Sequence, residues 1–263
     1  MMSIFSVPVR IYLYVLTVLL GLVMGSALNC LAYRMVSGEK WSGGRSKCPK
    51  CGHTLGILDL IPLFSWLFLG GKCRYCKAPI SARYPLTESI LGLCFGLRLW
   101  RFGVSLEIIQ YLVLVCCLFC LSLIDFDTLT IPDRFLLIPA VVRVLWLLLV
   151  GGWKEALRAF VPALVLGGGI LLLSLLMDKV LKKESMGGGD IKLLFMLGLF
   201  FDLPCCLLLL IFSCVVGLVF AFISMRGEQG RAFPFGPSIS IAAVLTCLFG
   251  TQIISWYINL FFM

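Results

Sequence analysis

Two aspartates and four cysteines carry the chemistry open to this sequence. Asp125 lies in the run Leu123-Ile124-Asp125-Phe126-Asp127-Thr128-Leu129-Thr130-Ile131-Pro132-Asp133, and Asp190 in Met186-Gly187-Gly188-Gly189-Asp190-Ile191-Lys192. Ionisable groups at the edge of long apolar runs are costly to place and are functional by default. Two carboxylates sharing a low-dielectric site do not both ionise easily, so the pair holds one proton between them. The ionised member takes a proton from water. The protonated member polarises a peptide carbonyl and then protonates the leaving amine. Asp190 opens a helix, where N–H groups favour negative charge, which makes it the expected ionised partner at rest. Gly187, Gly188 and Gly189 are expected to position substrate, because bare backbone adopts unusual shapes and lets another chain approach closely. Asp127 and Asp133 are weighed as substrate-positioning acids against plain helix caps or loop residues, and Asp127 competes with Asp125 for the catalytic role.

The cysteines form two C-x-x-C pairs, Cys48-Pro49-Lys50-Cys51 and Cys73-Arg74-Tyr75-Cys76, separated by twenty-one residues. Such knuckles supply four thiolates at a spacing that suits tetrahedral zinc. Four thiolates close the coordination shell, so the metal is structural and folds a loop too small to bury its own core. The rival reading is a pair of redox dithiols. His53 is the only histidine in the chain and sits in the first knuckle. Its solitude excludes Ser-His, Cys-His and histidine-metal hydrolytic sites elsewhere. The other nine cysteines lie in or beside apolar runs, where a thiol behaves as a small hydrophobe.

The elements that must position these groups are membrane helices. Hydrophobic residues make up 61% of the 263, and mean hydropathy is +1.07. A soluble domain of this size has no interior for so much apolar side chain. The expected fold is all-α and polytopic. Eight spans are predicted, at 11–33, 84–101, 106–126, 131–151, 156–181, 190–203, 205–225 and 236–262, the sixth short and irregular at its start. Gly167-Gly168-Gly169 falls inside a span and predicts close helix packing rather than a phosphate loop. The net charge of +9 is not a nucleic-acid footprint, because the basic residues sit in short loops between apolar runs. The loop 34–83 holds nine Lys/Arg against two acids, Glu39 and Asp59. Placing it in the cytoplasm puts sixteen of twenty-two basic residues inside, with both termini outside. The same assignment brings Asp125 and Asp190 to the cytoplasmic face at one depth. The expected organisation is an N-terminal region 1–104, with two spans and the small zinc loop, followed by a six-helix core 105–263.

The order of motifs resembles the type IV prepilin peptidases, membrane aspartyl proteases of the GxGD type, over nearly the whole length. Gly25-Ser26-Ala27-Leu28-Asn29 with Arg34 is similar to the family's opening motif. The two C-x-x-C pairs with Asp59-Leu60-Ile61-Pro62 between them resemble its cytoplasmic loop. Ile80-Ser81-Ala82-Arg83-Tyr84-Pro85-Leu86-Thr87-Glu88 resembles the approach to its second span. Gly187-Gly188-Gly189-Asp190 fits GxGD, and Pro234-Phe235-Gly236-Pro237 is similar to a late motif. The resemblance implies that Asp125 and Asp190 are catalytic. It implies a bacterial inner-membrane enzyme acting on prepilins or pseudopilins of pili, type II secretion or DNA uptake, cut after a glycine at the cytoplasmic face. Asp127, Asp133, Glu184 and Glu228 are then candidates to receive a basic leader. It further implies methylation of the new N-terminus from S-adenosylmethionine, with Asn29, Arg83 and Glu88 as the region concerned. The reading from another class is an ion-coupled transporter using the same aspartates, although transporter sites sit near mid-membrane on broken helices.

Overall fold

The computed structural model describes residues 6–40, 44–48, 50–183, 185–225 and 234–262. Among them every regular element is helical: α1 (Val7–Val36), a 3-10 turn (Ile57–Asp59), α2 (Phe64–Phe68), α3 (Arg83–Phe102), α4 (Ile108–Thr128), α5 (Arg134–Val150), α6 (Gly152–Ala163), a π-helical turn (Leu164–Gly168), α7 (Gly169–Leu181), α8 (Gly188–Gly198), α9 (Leu203–Met225) and α10 (Gly236–Phe262). The only strand-like pairings described are two isolated bridges, Lys47 with Thr54 and Lys72 with Pro79, one in each cysteine knuckle.

Each of the eight expected spans coincides with a helix, with α6, the π turn and α7 running on as one rod from Gly152 to Leu181. Five helices are long and apolar enough to cross a membrane: Val7–Val36, Ile108–Thr128, Gly152–Leu181, Leu203–Phe222 and Gly236–Leu260. The other three fall short for visible reasons. α3 carries Arg83, Glu88, Arg98 and Arg101, α5 has 17 residues, and α8 has 11. Large exposed side chains such as Leu149, Leu172, Leu218 and Trp256 leave these helices clad in apolar surface, which a bilayer covers and water does not.

The chain divides into two compact units, Met1–Cys116 and Cys117–Met263. In the first, α1 and α3 are the principal pair. Gly21 and Gly25 form a G-x-x-x-G on α1. A Cβ on Gly21 would stand 2.7 Å from the Gly92 Cα, and one on Gly25 would stand 2.8 Å from the Glu88 Cα. Small residues one turn apart let the two backbones close up, as membrane helices do where no hydrophobic effect drives them together. The Tyr111 hydroxyl of α4 donates to the Cys94 carbonyl at 3.4 Å.

In the second unit, α8 is held against the rod Gly152–Leu181 at two points. A Cβ on Gly167 would meet Phe195 at 2.6 Å, and Gly198 sits directly on the Ala163 backbone. Of the three consecutive glycines, only Gly167 serves the expected close packing. Gly168 and Gly169 face open space. The π turn lies at this contact, where one extra residue per turn re-aims the rod toward α8. A Gly198→Ala variant drives a methyl into backbone and is expected to cost about 1–3 kcal/mol of stability, read as a lower unfolding midpoint in detergent.

Candidate active site

Asp125 lies in the last turn of α4 and is 4% exposed. Its Oδ2 accepts the backbone N–H of Gly236 at 3.0 Å. That N–H belongs to the first residue of α10 and is one of the donors a helix start leaves without an internal partner. Pro237 follows it, with no N–H to offer and a φ suited to opening a helix. Phe235 packs on Gly217 of α9, where a Cβ would come within 2.8 Å of the ring, and this seats the α10 start beside Asp125.

Asp190 occupies the first turn of α8. Its Oδ2 folds back toward Gly187, 3.2 Å from where a Cβ there would stand. One side chain joins the two acidic segments: Ile131. A Cβ on Gly189 would meet Ile131 Cβ at 3.0 Å, and one on Gly236 would meet Ile131 Cδ1 at 3.4 Å and Asp125 Oδ2 at 2.7 Å. Gly189, beside Asp190, and Gly236, the donor to Asp125, thus pack on the same isoleucine. The arrangement offers two carboxylates, one of them braced by a backbone donor. A Gly236→Ala variant would force its methyl onto the Asp125 carboxylate. A shift of about 1 Å in a reacting group can lower turnover about 10²-fold, so a loss of cleavage on that scale tests whether the braced carboxylate takes part.

The glycines before Asp190 work differently from the expectation. Gly187 has φ −65° and ψ 135°, and Gly188 and Gly189 are helical; none of the three has a positive φ. Unusual backbone shape is therefore not what they supply. Gly189 is needed for close approach to Ile131, whereas Gly188 faces open space. Asp133 also differs from a plain cap. It stands at the N-cap position of α5 without a capping bond, and pairs instead with Lys192 of α8 at 2.8 Å, both side chains exposed. Asp127 is exposed on the last turn of α4. Glu184 and Glu228 lie outside the described residues.

The four knuckle cysteines converge. Their sulfurs all lie within 4.8 Å of one another, and Cys48 Sγ is 3.9 Å from Cys76 Sγ. Zinc–sulfur bonds of about 2.3 Å in a tetrahedron place sulfurs roughly 3.8 Å apart, so this donor set fits a zinc ion. The two knuckles are built alike. In each, the first cysteine donates its N–H to a carbonyl five residues on, His53 or Ala78, and accepts one from the fourth residue on, Gly52 or Lys77. Gly52 and Lys77 both take the left-handed conformation that this turn demands, at φ 69° and 60°. The N–H groups of Cys51 and Lys50 pull the Cys48 thiol down to about 6. The Ala78 N–H pulls Cys76 down as well, but desolvation and the three neighbouring sulfurs outweigh it and push that thiol up to about 11. His53 is not among the sulfur ligands; its ring lies 3.6 Å from the Tyr75 ring, tying one knuckle to the other.

Of the three residues in the other polar region, two are brought into one buried layer. Asn29 Nδ2 donates to Thr87 Oγ1 at 3.3 Å, and Glu88 Oε2 accepts the Leu63 N–H at 2.6 Å. Arg83 is exposed at the start of α3. What sequence reasoning missed at both sites is the brace: the Gly236 N–H on Asp125 and the Leu63 N–H on Glu88. The Pro-Phe-Gly-Pro motif was a signal for the first, since glycine beside proline at a helix start marks a backbone donor left free.

Residues 19–102 match the bacterial peptidase A24 N-terminal domain, and residues 112–222 match the type IV leader peptidase family. The chain is 35% identical to a prepilin leader peptidase/N-methyltransferase of Pseudomonas aeruginosa, over 92% of this chain and 92% of that protein. It is 36% identical to the protein of that name from Stutzerimonas stutzeri over 91% and 92%, and 37% identical to one from Aeromonas salmonicida over 82% and 75%. No solved structure matches. The ion-coupled transporter reading finds no support among these relatives. Identity at this level along nearly the full length, with both domains in order, makes the chain a member of the type IV leader peptidase family.

Proposed function

We propose that this chain is a membrane aspartyl endopeptidase that removes the short basic leader of type IV prepilins or pseudopilins after a glycine, and then methylates the new N-terminus. The observation that carries the reading is the buried Asp125 carboxylate, braced by the Gly236 N–H, with Gly236 and the residue before Asp190 packed on the same Ile131. The pair holds one proton. The ionised carboxylate removes a proton from the attacking water while the other donates to the scissile carbonyl, and the proton gained from water passes to the leaving amine. The N–H on Oδ2 fixes the Asp125 carboxyl plane and leaves its Oδ1 for the reacting atoms. Residues 105–263 form this peptidase core. Gly187, Gly188 and Gly189 give the substrate backbone a path past Asp190, and Asp127 and Asp133 face the basic leader. On the charge bias of the loops, the site opens at the cytoplasmic face of the inner membrane with both termini outside.

Residues 1–104 carry the structural zinc, held by Cys48, Cys51, Cys73 and Cys76, and the methyl-transfer region. S-adenosylmethionine supplies an electrophilic methyl group for the freed amine. Toward it, Glu88 and Asn29 act as positioning residues, because both are already engaged within the α1–α3 pair, while Arg83 stands at the exposed mouth of that region. The test is reconstitution of the full chain in lipid with a prepilin and isotope-labelled donor. Cleavage after the glycine with label on the new N-terminus is the expected result. An intact prepilin would overturn the peptidase reading, and an unlabelled cleaved product would remove the second activity.

A further inference from the structure

The stretch 55–71, Leu-Gly-Ile-Leu-Asp-Leu-Ile-Pro-Leu-Phe-Ser-Trp-Leu-Phe-Leu-Gly-Gly, lies between the two knuckles of an otherwise strongly basic loop. It is apolar enough to need cover, yet most of its large apolar side chains are exposed. Ile57 and Phe68 are each 87% exposed, and Leu58, Phe64 and Leu67 are exposed beside them. α2 is fixed by its opposite side. Trp66 donates its indole N–H to the Ile80 carbonyl at 3.1 Å and packs on Gly71, and the residue before α2, Leu63, is bonded to Glu88. Phe64, Leu67 and Phe68, three and four apart, make up the outward face.

The only charge in the stretch is Asp59, and it is sequestered. Its carboxylate takes Arg74 Nε at 2.6 Å, the Tyr75 hydroxyl at 3.3 Å and the Gly56 N–H at 3.1 Å, and its side chain is 6% exposed. Burial opposes its ionisation, but these donors prevail and hold the carboxyl below its ordinary value. The backbone is also closed on itself. N–H groups of Asp59, Leu60, Phe64, Ser65, Leu67, Leu69, Gly70 and Gly71 all donate to carbonyls within the stretch, and Ser65 Oγ donates to the Ile61 carbonyl. Irregular backbone that satisfies its own polar groups and presents only apolar side chains is built for a solvent without hydrogen-bonding partners.

Its depth points the same way. The Leu63 N–H reaches Glu88, which packs against Gly25 of α1. Gly25 lies eleven residues before the end of α1 at Val36, about 16 Å along the helix. The stretch therefore folds back beside the α1–α3 pair rather than projecting beyond it. Holding it there takes a turn that few residues accept. Leu63 has φ 63° and ψ −53°, and the Phe64 N–H closes onto the Pro62 carbonyl at 2.6 Å, a strained γ-turn that persists because Glu88 takes the Leu63 N–H.

We propose that residues 57–68 are a re-entrant element of the loop, with Ile57, Leu58, Phe64, Leu67 and Phe68 embedded among lipid acyl chains. The exposed Lys47, Lys50, Lys72 and Lys77 of the knuckles, on either side in sequence, are then left for anionic headgroups. The occupant of the apolar face is lipid, not water and not protein.

The test places a benzophenone amino acid at Phe68, Ile57 or Lys50 of the full chain in native-lipid nanodiscs and reads the irradiated products by mass. A mass shift of one phospholipid per chain at Phe68 and Ile57, in higher yield than at the headgroup-facing Lys50, is expected. Cross-links from Phe68 to another segment of the chain or to a second protein would overturn the proposal in favour of a protein partner, and no lipid adduct at Phe68 would overturn it in favour of water. Hydroxyl-radical labelling of the unsubstituted chain gives a reading that no variant can distort. Phe68 is expected to be protected relative to Tyr75, although it is the more exposed of the two at 87% against 48%. Labelling of Phe68 at or above the level of Tyr75 sinks the idea.

Discussion

Asp125→Asn and Asp190→Asn are each expected to lower leader cleavage by about 10³-fold or more, with the fold intact. An amide keeps the shape of the carboxyl and still accepts the Gly236 N–H through its oxygen, so the brace at position 125 survives. What it loses is the proton chemistry. It neither takes a proton from water nor gives one to the leaving amine. On the proposed mechanism the two carboxylates act as a unit, so the double variant is expected to be scarcely worse than either single one. Glu155→Gln is the control, because the Glu155–Arg158 pair is exposed on both sides, a kind of pair worth little. Initial rates of prepilin cleavage at matched protein levels decide the matter. Full activity in either Asp125→Asn or Asp190→Asn would remove the assignment.

Stripping the metal is expected to unfold the cysteine loop outright. Each knuckle is closed by a single bridge, the two are joined by the His53–Tyr75 contact, and the Asp59 cluster ties the intervening stretch to the second, with little interior of their own. In peptides of this type structural zinc supplies about 10–16 kcal/mol, more than such contacts replace. Four sulfurs within 4.8 Å also repel one another once ionised. The split between Cys48 near 6 and Cys76 near 11 means that the metal-free cluster keeps a proton at neutral pH that metal must displace. Metal binding is thus expected to release protons, seen as a binding heat that varies with the ionisation heat of the buffer. The sign follows for acid: lowering the pH returns protons to the sulfurs and expels the metal. Chelation, or Cys73→Ser, is expected to expose Arg74 and Lys77 to rapid tryptic cleavage. A loop equally resistant with and without metal would show that zinc does not hold it.

Much of this protein is set by local sequence. The apolar runs specify helices because only a helix closes its own hydrogen bonds in lipid, and the expected spans coincide with helices along the chain. The cysteine spacing determines the knuckles, since a C-x-x-C turn brings two sulfurs to one side whatever surrounds it. Asp125 and Asp190 stand out because a carboxylate at the edge of an apolar run is costly to place there. Tertiary structure decided what depends on contacts between distant segments. Nothing local to Gly236 says that its N–H is aimed 111 residues back at Asp125. Nothing local to Ile131 says that Gly189 and Gly236 both pack on it, or that the glycines before Asp190 do not serve unusual φ. The same holds for Leu55–Gly71, which in a basic loop reads as aqueous. Only the Glu88 bond to Leu63, across 25 residues, shows the stretch turned back along the helices. Periodicity and composition report the solvent a segment prefers; which neighbour meets it is settled by how the helices pack.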